Sequence, residues 1–125
     1  MEPISLEATM KTPSIEFDAV QGLLEIKGRS NPENTLDFYR PLVAWVDEYV
    51  QSPAEKTVVN VHLEHFNTSS SKSILEVFRA LEPIHKIHKG EIVVNWFYED
   101  DDEDILEAGE NYEAITGLPF RMVAI

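Results

Sequence analysis

Val58-Val59-Asn60-Val61-His62-Leu63-Glu64-His65-Phe66 runs straight into Asn67-Thr68-Ser69-Ser70-Ser71-Lys72. An apolar, alternating segment ends, a run of hydroxyl residues follows, and Ile74, Leu75, Phe78, Leu81 and Ile84 then recur at helical spacing. The stretch reads as a strand feeding a helix, the unit from which α/β folds are built. At such a helix start the first backbone N–H groups lack intrahelical partners, and the helix dipole favours negative charge. A hydroxyl placed there can cap the helix, or it can accept a phosphate that the fold tolerates.

The same alternation of patterns extends in both directions. After a short N-terminal arm, Ser14 to Val20 alternates with period two, Gln21-Gly22 makes a turn, and Leu23 to Gly28 reads as the hairpin partner. Ser30-Asn31-Pro32-Glu33-Asn34-Thr35 is dense in helix-start residues. The helix it opens carries Leu36, Tyr39, Leu42, Val43, Val46 and Val50 on one face, with Trp45 and Tyr49 beside it, and stops at Ser52-Pro53. Thr57 to Phe66 is the next strand. The helix from Thr68 should kink at Pro83 and end at Gly90. Glu91 to Tyr98 is a strand, Asp101 to Thr116 a helix built on Ile105, Ala108, Tyr112 and Ile115, and Phe120 to Ile125 a last strand. The order β-β-α-β-α-β-α-β predicts a single-domain α/β sandwich over residues 1–125. Its mixed sheet is parallel after the opening hairpin, with helices mainly on one face. Because Asn60, His62, Glu64 and Asn95 interrupt the apolar strands, the other sheet face is expected to be partly wet.

Composition narrows the function classes. The chain has 125 residues, no cysteine and a formal charge of −13. Thiolate metal sites and disulfides are excluded, and ten scattered basic residues make nucleic acid and anionic membranes poor partners. The start of the chain lacks a signal-peptide pattern and no apolar run could span a bilayer, so a soluble, cytoplasmic protein without membrane insertion is expected. The acidic run Glu99 to Asp104 lacks the spacing and glycine of a calcium loop and suits a helix first turn, or docking. His62 and His65 should point to opposite sheet faces, and His85 and His88 lack a zinc-binding pattern, so no metal or cofactor is expected. There is no nucleophile-elbow glycine pattern, no glycine-rich phosphate cradle and no Cys nucleophile, which argues against an enzyme.

Several short motifs resemble those of the SiaC family of bacterial regulatory phosphoproteins. They are Thr9-Met10-Lys11-Thr12-Pro13, Pro32-Glu33-Asn34, Leu63-x-x-Phe66-Asn67-Thr68-Ser69-Ser70-x-Lys72, Trp96-x-Tyr98 and Leu118-Pro119-Phe120. The resemblance implies a fold similar to the anti-sigma-factor antagonists (STAS-like). It implies a phosphoacceptor at Thr68, served by a SiaB-like partner-switching kinase and a SiaA-like PP2C-type phosphatase. It also implies that the unphosphorylated form binds and activates a SiaD-like diguanylate cyclase, raising cyclic-di-GMP in biofilm control. Asn67, Ser69, Ser70 and Lys72, with Pro32, Glu33 and Asn34, would form the partner-binding rim. Two positions depart from the family pattern: Asn31 stands where an aromatic is expected, and Ser71 where an apolar residue is usual, so the acceptor could be shared among neighbours. The alternative readings are an anti-sigma-factor antagonist, or a constitutive scaffold in which Thr68 is only a helix cap.

Overall fold

The computed structural model describes residues 1–125. Six strands form one sheet in sequential order: β1 (Ile4–Leu6), β2 (Ser14–Asp18), β3 (Leu23–Ser30), β4 (Lys56–Phe66), β5 (Glu91–Tyr98) and β6 (Phe120–Ala124). The first three are antiparallel, and β3 to β6 are parallel. Helices α1 (Thr35–Tyr49), α2 (Thr68–Lys86) and α3 (Glu103–Thr116) make the three parallel crossovers. Each crossover moves one strand over in the same direction, so crossovers of a single hand set all three helices on one face. The mixed α/β architecture expected from the sequence is the one found, with one strand more. β1 lies in what reads as an N-terminal arm. Three residues are too few to show a period, and only pairing with β2 makes them a strand.

Between sheet and helices lies one cluster of 24 buried apolar residues, including Ile15, Phe17, Leu24, Ile26, Val59, Val61, Leu63, Val94 and Trp96 from the strands. The opposite face is polar and half exposed, as the interrupted strands imply. There Asn95 Nδ2 donates to Asn60 Oδ1 at 2.9 Å, and Asn60 Nδ2 donates to Glu25 Oε2 at 3.1 Å. These bonds cross three strands and satisfy amides that would otherwise depend on water.

Four details differ from the sequence pattern. In α1 the core face is Tyr39, Leu42, Trp45, Val46 and Tyr49, whereas Leu36 is 68% exposed. The helix is turned toward its aromatic residues, because Trp45 packs on Phe17 of β2 at 5.2 Å and donates to the Glu2 carbonyl at 2.8 Å. Helix α2 ends at Lys86 rather than Gly90, and His88 supplies the left-handed residue (φ 53°) just beyond. Helix α3 begins at Glu103, behind the cap Asp102, and Ile115 is half exposed. In β4, Leu63 pairs with Gly28 but His65 pairs with Arg29, so a bulge interrupts the alternation that would place His62 and His65 on opposite faces. The bulge lets Leu63 and Phe66, three residues apart, both pack toward the core.

Helix α3 lies close to the sheet because Gly109 has no side chain there. A Cβ at this position would sit 2.6 Å from Trp96 Nε1, and the buried indole is pinned by its own 2.8 Å bond to the Ile105 carbonyl. Gly109→Ala should therefore cost about 1–3 kcal/mol through overpacking, seen as a lower urea midpoint. An unchanged midpoint would show that Trp96 can yield.

Candidate functional site

The carboxyl ends of β3 and β4 form the site. β3 ends at Ser30 and leads through Asn31–Asn34 into α1, while β4 ends at Phe66 and leads through Asn67 into α2. Such ends of parallel strands are where open α/β sheets place their working residues. Asn67 is the N-cap of α2: its backbone is extended, and its side-chain oxygen accepts from Ser70 N at 2.8 Å. Thr68 is the first residue of the helix and is exposed. The reading of Thr68 as the cap is thus corrected, because the amide of Asn67 already occupies that role.

The hydroxyls that follow differ sharply in environment. Ser69 is exposed. Ser70 is 0% exposed, and its Oγ donates to the Ser30 carbonyl at 3.0 Å while accepting from Ser30 Oγ at 2.8 Å. Since the single Ser30 proton is used there, the 2.6 Å contact between Ser30 and Tyr39 has the tyrosine as donor. The result is a directed chain of three hydroxyls, from Tyr39 to Ser30 to Ser70, ending on a backbone carbonyl. Ser71 is half-buried and clamped from the other side: Tyr112 Oη donates to its carbonyl at 2.9 Å and lies 3.1 Å from its Oγ. Ser70 is therefore corrected from a rim residue to an interior strut, because a partner cannot touch a fully buried hydroxyl. Neither tyrosine was singled out for the site by spacing, since both read as core aromatics.

Four of the other expected rim residues converge, whereas Pro32 and Asn67 do not line the same depression. Glu33, Asn34, Ser69 and Lys72 line one depression of about 430 Å³ between the starts of α1 and α2. Asn34 also caps α1, accepting from Asp37 N at 3.1 Å. The turn Thr9–Thr12 packs beside them: Asn31 N donates to the Lys11 carbonyl at 2.7 Å, and Lys11 Nζ meets Glu33 Oε1 at 3.2 Å. Asn67 Nδ2 reaches Asn31 Oδ1 at 2.7 Å, so Asn31 joins the two loops. Trp96 and Phe120 instead belong to an aromatic cluster with Phe78 and Tyr112, inside the fold. First-turn acidic residues occur in α1 (Asp37) and α3 (Glu103, Asp104) but not in α2. The acidic run thus serves α3 as cap and first turn, and no group of three or more His, Asp or Glu side chains is arranged to hold a metal ion. No helix is long and apolar enough to cross a membrane.

Burial pushes the Tyr39 hydroxyl up to about 12 from 10.0, partly offset by its hydrogen bond with Ser30, and burial raises Tyr112 as well, against the bond from Ser71. A raised acid binds its proton more tightly in the folded state. Its contribution is complete below pH 10 and is lost as pH climbs toward the folded value. Stability should therefore fall between about pH 10 and 12, Tyr39 accounting for about 2–3 kcal/mol of the loss. In Tyr39→Phe, urea unfolding should show a protein about 1 kcal/mol weaker near pH 8 but with a shallower alkaline decline. An equally steep decline would remove Tyr39 as its source.

With this geometry in place, comparison with known proteins is specific. The model of the SiaC family regulatory phosphoprotein matches residues 6–125. An uncharacterized protein of Pseudomonas aeruginosa is 26% identical over 124 residues, covering 99% of this chain and 98% of the relative. A solved structure of SiaC of Pseudomonas aeruginosa superimposes with a TM-score of 0.90 at 25% identity over 100% of both chains. A similar match, TM-score 0.89 at 25% identity over 98% of this chain and 99% of the other, is to a structure of the diguanylate cyclase SiaD in complex with its activator SiaC from Pseudomonas aeruginosa. This chain belongs to the SiaC family of regulatory phosphoproteins.

Proposed function

We propose that this protein is a non-catalytic, cytoplasmic partner-switching module controlled at Thr68. Unphosphorylated, it binds and activates a diguanylate cyclase. Phosphorylation by a dedicated kinase blocks that binding, and a PP2C-type phosphatase restores it. The observation that carries the reading is the exposed Thr68 in the first turn of a helix already capped by Asn67. Its hydroxyl is accessible and is not needed as the cap. Family membership supports phosphorylation as the mode of control, and the cyclase complex of the relative supports the class of partner.

The physical switch is local. A phosphate adds about −1.5 to −2 charge at pH 7, at a helix end whose dipole and empty first turn tolerate it. The fold should persist while the surface beside Glu33, Asn34, Ser69 and Lys72 becomes more negative and changes shape. In a docked interface that dianion must be desolvated or expelled, which weakens binding. An anti-sigma-factor antagonist would use the same acceptor and differ only in its partner. A constitutive scaffold loses its main support, because Thr68 does not cap the helix.

Thr68→Ala should abolish phosphorylation in phosphopeptide mass spectrometry while keeping cyclase binding and activation. Thr68→Glu should weaken binding about tenfold or more. Full phosphate incorporation in the Thr68→Ala protein would falsify the assignment. Ser69 is the other accessible hydroxyl, and the buried Ser70 should remain unmodified in the folded protein.

A further inference from the structure

The sheet face that carries no helix is not uniformly polar. Leu23, Val58 and Val93 lie side by side across β3, β4 and β5, and Phe97 and Val123 lie side by side on β5 and β6. All five are half-buried, and none belongs to the core or packs against it. Between these apolar rows runs a polar one, Glu16–Glu25–Asn60–Asn95–Arg121, from β2 to β6. Its charges are segregated, with two carboxylates at one end and a guanidinium at the other. Arg121 is exposed and takes part in none of the ion pairs of the chain. In the middle of the row, Asn60 gives one amide hydrogen to Glu25 and accepts from Asn95. Asn60 therefore keeps a spare N–H, and Asn95 a spare oxygen.

Such a face is complementary to itself. Two copies can stack face to face about a twofold axis that runs along the strands, between Asn60 and Asn95. Each row then meets its own row reversed. Arg121 of each copy faces Glu25 of the other, with Glu16 next along the row. The spare N–H of Asn60 faces the spare oxygen of Asn95, Val58 faces Val93, and His62 faces Phe97. An axis across the strands would instead set Glu25 against Glu25 and Arg121 against Arg121, which like charge opposes. Asp18, Glu16 and Glu25 stand on these rows against Lys27 and Arg121. Little of the formal charge of −13 is thus brought into the contact. We infer that the open sheet face is the interface of a homodimer, with a second copy of this chain as its occupant. The dimer does not depend on the cyclase: it leaves all three helices outward and holds both Thr68 turns at the same end.

Sedimentation equilibrium of the full chain tests the pairing. The wild-type chain should sediment as a dimer. Arg121→Glu and Glu25→Lys should each weaken association about tenfold or more. The double variant Glu25→Lys/Arg121→Glu exchanges the two charges in place and should restore it. Glu110→Lys, a reversal on the exposed side of α3, should leave the mass as in the wild type. Because Glu25→Lys removes an acceptor of Asn60, circular dichroism accompanies each variant. Arg121 is exposed and unpaired, so its variant alone decides the matter if Glu25→Lys fails to fold. A monomeric wild-type chain, the outcome expected if the face serves a different protein, overturns the inference. So does a dimer that survives the charge reversals. Loss in the single variants without recovery in a folded double variant overturns the Glu25–Arg121 pairing and the twofold arrangement with it.

Discussion

Ser30 is the residue on which the geometry of the site depends. Its carbonyl accepts from Asn67 N at 3.1 Å and from Ser70 Oγ at 3.0 Å, and its hydroxyl links Ser70 to Tyr39. One buried residue at the end of β3 thereby fixes the end of β4, the first turn of α2 and the second turn of α1. Such a network stabilises only when complete, since a buried hydroxyl left without a partner costs about 1–3 kcal/mol. Here every member is satisfied, and no buried side-chain polar atom in the chain lacks a partner. The turn carrying Thr68 is consequently a rigid platform. A modification on its outer side alters the surface without loosening what lies beneath.

The platform is clamped from both flanks by the same chemistry. Tyr39 of α1 reaches Ser70, through Ser30, and Tyr112 of α3 reaches Ser71. Each tyrosine contributes its ring to the core and its hydroxyl to the α2 turn, which is why both are buried and both resist ionisation. Four consecutive hydroxyl residues are thus divided by burial into an accessible pair, Thr68 and Ser69, and a structural pair, Ser70 and Ser71. A hydroxyl at Ser71 has a local partner, because it meets that of Tyr112.

The two-layer arrangement also accounts for where the surface is free. Sequential strand order leaves one sheet face without helices, and Asn60, Asn95 and Glu25 satisfy one another across it. On the helical side, turning α1 toward Trp45 and Tyr49 leaves Leu36 exposed beside the depression between α1 and α2. The apolar residue most exposed beside the switch is therefore a consequence of aromatic packing elsewhere in the same helix.

The sequence by itself determined the architecture. Period-two and helical patterns marked five of six strands and all three helices, and the motifs carried the family. These signals are local: they arise from residues near in the chain whose spacing reports which face is buried. β1, the bulge in β4 and the rotation of α1 were not legible, because each depends on pairing or packing with distant residues. The division of labour among Asn67, Thr68, Ser69, Ser70 and Ser71 was hidden for the same reason. All five read as polar residues at a helix start, and only the approach of Ser30, Tyr39 and Tyr112 from other elements decides which hydroxyls are consumed inside. A hydrogen bond between residues forty positions apart leaves no period in the chain, so tertiary structure alone could separate the cap and the struts from the accessible threonine.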